Sequence, residues 1–198
     1  MDSEAVEKSL LHFARAKSAY VYMGPTFGGD ISGNWVSIVT AGVAVFTALD
    51  IGSKKSRKSE LWMSKNIGQL RADPLLSYMR QSRNACEHGV ADIVSPGPDV
   101  RGEKLLERFV TFETEWTDEG YFVFGTTVDG GDVRLQLTPP DYRLQPVLDK
   151  RSGKLFHPPK EHLGRPLKST TLMGVGRVWL QYLEEMLEQA KELERACL

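Results

Sequence analysis

The stretch FVTFETEWTDEGYFVFGTTVDGGDVRLQL (109–137) decides the fold class of this 198-residue chain, because apolar and polar side chains alternate through it. The alternation predicts three strands, at 109–116, 121–128 and 133–137. The connections between them, 118–120 and 129–132, carry the Asp and Gly residues that tight hairpin turns require. The sequence therefore predicts an antiparallel β-meander.

Helical patterns precede this stretch. Apolar residues recur at intervals of three and four over 3–22, which predicts an amphipathic helix. Asn34 is a suitable N-cap for a second, apolar helix that begins at Trp35. A short helix is predicted at 61–72.

Two further helices complete the prediction. Asp73-Pro74 supplies an N-cap and a first-position proline for a helix that runs to about His88 and is stopped by Gly89. Near the other end of the chain, a three/four spacing predicts a long C-terminal helix, built on Leu172, Val175, Trp179, Leu183, Met186, Ala190 and Leu193. Helices on both sides of a meander predict an α+β fold.

Composition limits which cellular compartment and which binding partners the sequence predicts. Lys and Arg total 25 against 26 Asp and Glu, so any contact with nucleic acid must be local. Cys86 and Cys197 form no CxxC pair, which predicts neither a disulfide framework nor a zinc site. No signal peptide is recognised, and the apolar segment 35–52 contains polar residues, so we interpret it as a buried helix. We expect a cytoplasmic protein with no membrane partner.

The strongest local basic patch is GSKKSRKSE (52–60). Its four cations are candidate RNA contacts: Lys54, Lys55, Arg57 and Lys58. We interpret the segment as a loop, and a solvated loop without a ligand is the alternative.

The helix at 73–88 carries the most informative residues. On a helical wheel, one arc is apolar and predicted to be core: Leu75, Leu76, Tyr78, Met79, Ala85 and Cys86. The opposite arc is polar and contains Arg80, Asn84, Glu87 and His88. Arg83 falls at the margin, where a guanidinium must snorkel, pair or line a cleft. Asn84 and His88 are therefore expected to be accessible.

The run Arg83-Asn84-Ala85-Cys86-Glu87-His88 resembles the signature of HEPN-superfamily ribonucleases, an Arg and a polar residue followed after a short spacer by His near a helix end. The resemblance implies an antiparallel helical bundle with an inserted β-meander. Its parts would be a helical core at 1–90, the insertion at 91–165 and a completing C-terminal helix at 166–198. It also implies catalytic roles for Arg83 and His88, with Asn84 in support. The insertion departs from many family members.

The residue types suit metal-independent RNA cleavage, in which a ribose 2′-hydroxyl attacks the adjacent phosphate. Histidine, with a pKa of about 6.5, can exchange a proton near neutral pH. Arginine stabilises charge on phosphate oxygens through a planar fork of donors. Arg83 and His88 diverge by about 140° on one helix, so two copies meeting across a two-fold axis make a better site.

The expected function is thus an endoribonuclease without metal or cofactor, in toxin–antitoxin or antiviral systems. RNA, a second copy of the chain and a cognate antitoxin are the expected partners, with Arg80 as a further RNA contact. The alternative is a non-catalytic helical interaction module. There, His88 meets a helix C-terminus and Arg83 pairs with Glu87 for structural reasons.

Other candidates are weaker. His157 and His162 lie in a predicted loop without a nearby cluster of carboxylates or cysteines, so a metal site is not favoured. His12 is expected to be solvated on the first helix. The segment 24–30 is rich in glycine but lacks the ending of a phosphate-binding loop. Four strand aromatics could stack on bases but are more typical of a core: Trp116, Tyr121, Phe122 and Phe124.

Overall fold

Five helices and four small antiparallel sheets make up the described part of the chain, and they confirm the predicted α+β class. A computed structural model describes residues 1–23, 30–87, 93–96, 109–117, 120–137 and 142–196. The helices are α1 (Ser3–Tyr22), α2 (Ile31–Ser53), α3 (Arg57–Ala72), α4 (Pro74–Glu87) and α5 (Leu172–Arg195). The strands are β1 (Val94–Pro96), β2 (Phe109–Thr117), β3 (Gly120–Thr127), β4 (Asp132–Leu137), β5 (Tyr142–Leu144), β6 (Val147–Asp149), β7 (Lys154–Phe156), β8 (Glu161–His162) and β9 (Arg165–Pro166).

The start of α2 differs from the prediction. The helix begins at Ile31, and its N-cap is Asp30, whose Oδ1 accepts from the Gly33 backbone N–H at 2.9 Å. The prediction of Asn34 as the N-cap is wrong. The Asp30 carboxylate satisfies a free N–H group of the first turn and interacts favourably with the positive end of the helix dipole.

The turn between α2 and α3 is shorter than the predicted basic loop. Ser56 caps α3, with its Oγ accepting from the Ser59 backbone N–H at 3.2 Å. Arg57 and Lys58 therefore belong to the first turn of a helix, and the interpretation of 52–60 as a loop is wrong outside the connection at 54–56.

The helices share one apolar core. α1 packs along α2 and against α5, while α2 also contacts α3, α4 and α5. Every apolar position predicted for the C-terminal helix is buried: Leu172, Val175, Trp179, Leu183, Met186, Ala190 and Leu193. The three/four spacing thus identified the face of α5 that meets the other helices.

A close approach between α2 and α5 requires a glycine. The Trp179 indole stacks on Phe46, with ring centroids 5.8 Å apart and planes 6° apart. Its Nε1 side lies against Gly42, where an added Cβ would overlap the indole ring. Packing of this density leaves no room for a methyl group.

The meander has the predicted strand order β2-β3-β4. Trp116 pairs with Tyr121 across the first hairpin, and Phe124 pairs with Arg134 across the second. Gly130 adopts a φ of 80° in the turn between β3 and β4, a conformation that favours glycine. Strand β1, which precedes the meander, pairs antiparallel with β5, which follows it.

The segment that follows β5 lies on α4. β6 pairs with β7, β8 pairs with β9, and β6, β7 and β8 all contact α4. The Tyr78 hydroxyl on α4 donates to the Gln145 carbonyl at 2.8 Å, which fixes the start of the segment. The predicted loop-rich return therefore contains short hairpins held by helix α4.

Helix α2 is, among the described residues, the one helix long and apolar enough to cross a membrane by length and composition. In the structure 56% of that apolar window is buried within the protein, as in a core helix. Its apolar character is therefore a weak indication of a membrane span, in agreement with the interpretation of a buried helix.

Candidate functional site

Helix α4 presents Arg83 and Asn84 beside its buried face. The predicted core arc is confirmed, because Leu75, Leu76, Tyr78, Met79 and Ala85 are all buried and Cys86 packs partly against the core. The principal neighbours of α4 are α2, α3 and the β6 and β8 segments, rather than α1 and α5.

The motif residues are partly accessible where the structure describes them. Arg80, Arg83 and Asn84 are half-buried on α4. His88 lies outside the described residues, so its expected exposure and its position relative to Arg83 stay predictions.

Asn84 links the motif arginine to the helix surface. Arg83 Nη1 donates to Asn84 Oδ1 at 3.4 Å, and Asn84 Nδ2 donates to Gln81 Oε1 at 3.2 Å. Asn84 is thus placed to position Arg83.

Arg83 lines a cleft that α1, α2 and α4 form together. The cleft has a volume of about 220 Å³, several times the ~30 Å³ share of one water molecule. Helix α1 contributes Lys8 and His12, α4 contributes Arg83, and α2 contributes Thr40, Val43, Ala44, Thr47, Ala48 and Ile51. The small side chains of α2 leave the space, and the other two helices place basic groups around it.

The charge in this cleft has one sign. Lys8, His12 and Arg83 are the ionisable groups of the described lining, and no carboxylate is among the lining residues. Two threonine hydroxyls, of Thr40 and Thr47, add neutral hydrogen-bonding groups. This arrangement attracts an anion, and an arginine fork suits a phosphate in particular.

His12 has an altered acidity in this surrounding. Partial burial of the ring lowers its pKa below the ordinary 6.5, and the positive charges of Arg15 and Lys8 lower it further. Both effects disfavour the imidazolium form. The His12 ring is therefore neutral at neutral pH, and it is half-buried in the cleft rather than solvated as expected.

The basic patch lies at one end of α2, outside the cleft lining. Lys54 is the C-cap of α2, one turn beyond the lining residue Ile51. Lys55 lies 3.4 Å from an Asp2 carboxylate oxygen, and Arg57 lies 3.5 Å from one of Glu60. Lys58 is exposed on the first turn of α3. These four cations thus lie near the α2–α3 turn, and none of them is among the described residues that line the cleft with Arg83.

His162 has one carboxylate partner, which its predicted position in a loop did not reveal. Its Nδ1 lies 3.0 Å from Asp73 Oδ1, and both side chains are almost entirely buried. Asp73 Oδ2 also accepts from the Leu163 backbone N–H at 2.6 Å. The His162 ring meets Tyr182 of α5 edge-on, with centroids 5.4 Å apart. Eighty-nine residues separate the pair in sequence, which is why no local pattern revealed it.

The contacts of Asp73 and His162 indicate a structural role. Asp73 Oδ1 caps α4 by accepting from the Leu76 backbone N–H at 2.9 Å, as predicted. Leu163 has a φ of 48° and Gly164 one of 73°, which matches the positive φ values of a two-residue hairpin turn. The cluster therefore anchors the β8–β9 hairpin to the start of α4.

The remaining candidates gain little. His157 is exposed, and no group of three or more potential metal-ligating side chains lies together within the described ranges. Phe124 is half-buried, with the Arg134 guanidinium 5.3 Å from its ring centroid. The side chains of Trp116, Tyr121 and Phe122 lie outside those that the structure describes, as does the glycine-rich segment 24–29.

Sequence reasoning missed Lys8 and the cleft role of His12. Two signals were present: Lys8 and His12 are four residues apart on the polar side of α1, and small residues recur on α2 at Thr40, Ala44 and Thr47.

The chain matches no protein-family model, no curated protein and no solved structure.

Proposed function

We propose that this protein is a metal-independent endoribonuclease with a HEPN-like helical bundle. The observation that carries the proposal is the basic cleft, in which the motif residue Arg83 converges with Lys8 and His12. A phosphodiester is the ligand whose charge and hydrogen-bonding oxygens this set of groups complements. Arg83, the residue that resembles the catalytic arginine, lines a cleft whose basic groups suit a phosphate, and this supports the proposal.

The proposed roles follow from the chemistry of each side chain. Arg83 stabilises charge that builds on the phosphate oxygens during attack by the 2′-hydroxyl. Asn84 holds the Arg83 guanidinium through the contact described above. His88 transfers a proton at the scissile phosphate. The proposed chemistry uses protein groups, and the lining residues that the structure describes carry basic and neutral side chains.

In this proposal the active unit is a homodimer. On the helix predicted for 73–88, Arg83 and His88 diverge, so in this proposal His88 of one copy approaches the cleft of the other across a two-fold axis. Lys54, Lys55, Arg57, Lys58 and Arg80 would bind flanking RNA phosphates through charge. The protein would act in the cytoplasm as a toxin or an antiviral effector, restrained by a cognate antitoxin.

Cleavage of a single-stranded RNA oligonucleotide in EDTA tests the proposal. We expect cleavage to persist and the 5′ fragment to end in a 2′,3′-cyclic phosphate, because the attacking oxygen belongs to the substrate. His88→Ala should lower the rate by about 10²- to 10⁴-fold, the usual loss on removing a proton-transfer group. Arg83→Lys should also fail, since an ammonium cannot form the bidentate fork.

The controls separate catalysis from folding and from contaminating nucleases. His157→Ala removes an exposed histidine away from the cleft and should cleave at the native rate. A 2′-deoxy copy of the oligonucleotide should bind and remain intact. Circular dichroism and thermal melts should match between variants. Cleavage that EDTA abolishes, or that a folded His88→Ala protein retains in full, contradicts the proposal; RNA binding without cleavage would favour a non-catalytic module.

A further inference from the structure

The cleft contains a histidine that the sequence motif does not include. We infer that His12 is the base that takes the proton from the ribose 2′-hydroxyl, an inference that rests on the proposed RNA cleavage. His12 and Arg83 line the same cleft from α1 and α4 of one chain. A phosphate held by Arg83 therefore brings its attached ribose to the His12 side of the cleft.

The other lining groups cannot perform this step. A lysine ammonium and an arginine guanidinium donate hydrogen bonds and accept none, so Lys8 and Arg83 are not suited to take a proton. Thr40 and Thr47 carry neutral hydroxyls, which are very weak bases. Among the ionisable groups of the described lining, His12 alone accepts a proton near neutral pH.

The surroundings of His12 keep it in the form that a base requires. Burial, Arg15 and Lys8 all lower its pKa, so the ring is neutral before substrate binds. Arg83 lines the same cleft from α4, and the α2 residues of the lining carry no charge. Once the phosphate is bound, its negative charge favours the imidazolium that forms as the proton arrives.

The two histidines divide the proton transfers. As the 2′-oxygen bonds to phosphorus, its proton passes to the neutral ring of His12. The bond from phosphorus to the 5′-oxygen breaks, and that oxygen takes a proton from the imidazolium of His88. The products are a 2′,3′-cyclic phosphate and a 5′-hydroxyl, and exchange with water restores both rings.

Substitution of His12 separates this role from a structural one. We expect His12→Ala to lower kcat by about 10²- to 10⁴-fold while leaving the Kd for the 2′-deoxy oligonucleotide within a few-fold of native. Lys8→Ala should do the reverse and weaken binding more than kcat. Added imidazole should restore part of the His12→Ala rate, because the truncated side chain opens space in an accessible cleft, but should not restore Arg83→Ala.

The pH profile provides the second readout. In the native protein kcat/KM should rise with pH through a midpoint below 6.5, where His12 loses its proton, and His12→Ala should lack that limb. His157→Ala should retain it. A His12→Ala protein that cleaves at the native rate, or that imidazole fails to rescue, overturns this inference while His88→Ala still tests the proposed function. A native chain that does not cleave RNA overturns both.

Discussion

Asp73 joins three separate parts of the chain through one carboxylate. It caps α4 through Leu76, pairs with His162, and accepts from the Leu163 backbone in the β8–β9 turn. Burial alone would raise the pKa of this carboxyl group, but hydrogen bonds from His162, Leu76 and Leu163 outweigh burial and lower the pKa.

The lowered pKa of Asp73 has a defined effect on stability. A carboxyl group whose folded-state pKa is depressed contributes stability that is fully present above its unfolded pKa and is lost as pH falls through the folded value. The contribution of Asp73 is therefore complete at neutral pH and declines below the ordinary pKa of 3.8.

Asp73→Asn tests this effect by urea unfolding. At neutral pH we expect it to reduce the free energy of unfolding by about 1 to 3 kcal/mol, because an NH₂ group replaces one of the two accepting oxygens and leaves a donor without an acceptor. The difference from the native protein should narrow as pH is lowered toward about 2. Glu192→Gln, at an exposed position on α5, is the control and should change little at either pH. A gap between native and Asp73→Asn that stays constant with pH would contradict the assignment.

The sequence predicted one half of this residue cluster. Asp73-Pro74 is a local helix-start signal, and α4 begins there as expected. The pairing with His162 depends on how the segment after β5 folds back on α4, and no periodicity within either segment encodes that contact.

Helices α2 and α5 pack closely at Gly42, where the lack of a side chain leaves room for the Trp179 indole. Gly42→Ala should favour an isolated helix, but its methyl group would overlap the Trp179 indole. We expect a net loss of about 1 to 3 kcal/mol in the free energy of unfolding, measured by denaturant titration.

Gly68→Ala is the matched control on α3. Beyond the neighbouring residues and the backbone of its own helix, no atom lies within 4 Å of the position that its Cβ would occupy. Helix propensity is then the main effect of Gly68→Ala, and we expect the free energy of unfolding to rise by up to about 1 kcal/mol. Equal shifts in both variants would mean that the Trp179 contact does not limit packing at Gly42.

Element identity followed from periodicity, while element ends followed from caps. The three meander strands and the faces of α1, α4 and α5 were predicted, since each repeats a strong pattern over many residues. The start of α2 was wrong because Asp30 and Asn34 are both good caps, and the choice between them depends on the helix as a whole.

The assembly as a whole is expected to complete the active site. In the proposed homodimer each cleft combines Arg83 of one copy with His88 of the other. Mixing equal amounts of Arg83→Ala and His88→Ala, after reversible subunit exchange, should restore about one quarter of native activity, since about half of the dimers then contain one intact site. Light scattering at micromolar concentration should show a dimer. Failure of the mixture to regain activity, or a strictly monomeric active protein, would contradict the two-copy site.

The candidate site was only partly predictable because three helices build it. Arg83 and Asn84 belong to one short run and were found directly. Lys8 and His12 join Arg83 only after α1 and α4 have both packed beside α2, so their convergence is a property of tertiary structure.

The ladder between β1 and β5 also bears on how the chain accommodates its meander. Val94 pairs with Leu144 and Pro96 with Tyr142, so the two ends of segment 97–141 are fixed side by side. The entropy of closing such a loop grows only with the logarithm of its length, and each doubling costs about 0.6 kcal/mol. A chain with a much longer or shorter segment between β1 and β5 would therefore form the same ladder at nearly the same free-energy cost of loop closure. The helices can therefore keep their packing while the segment between β1 and β5 changes in length.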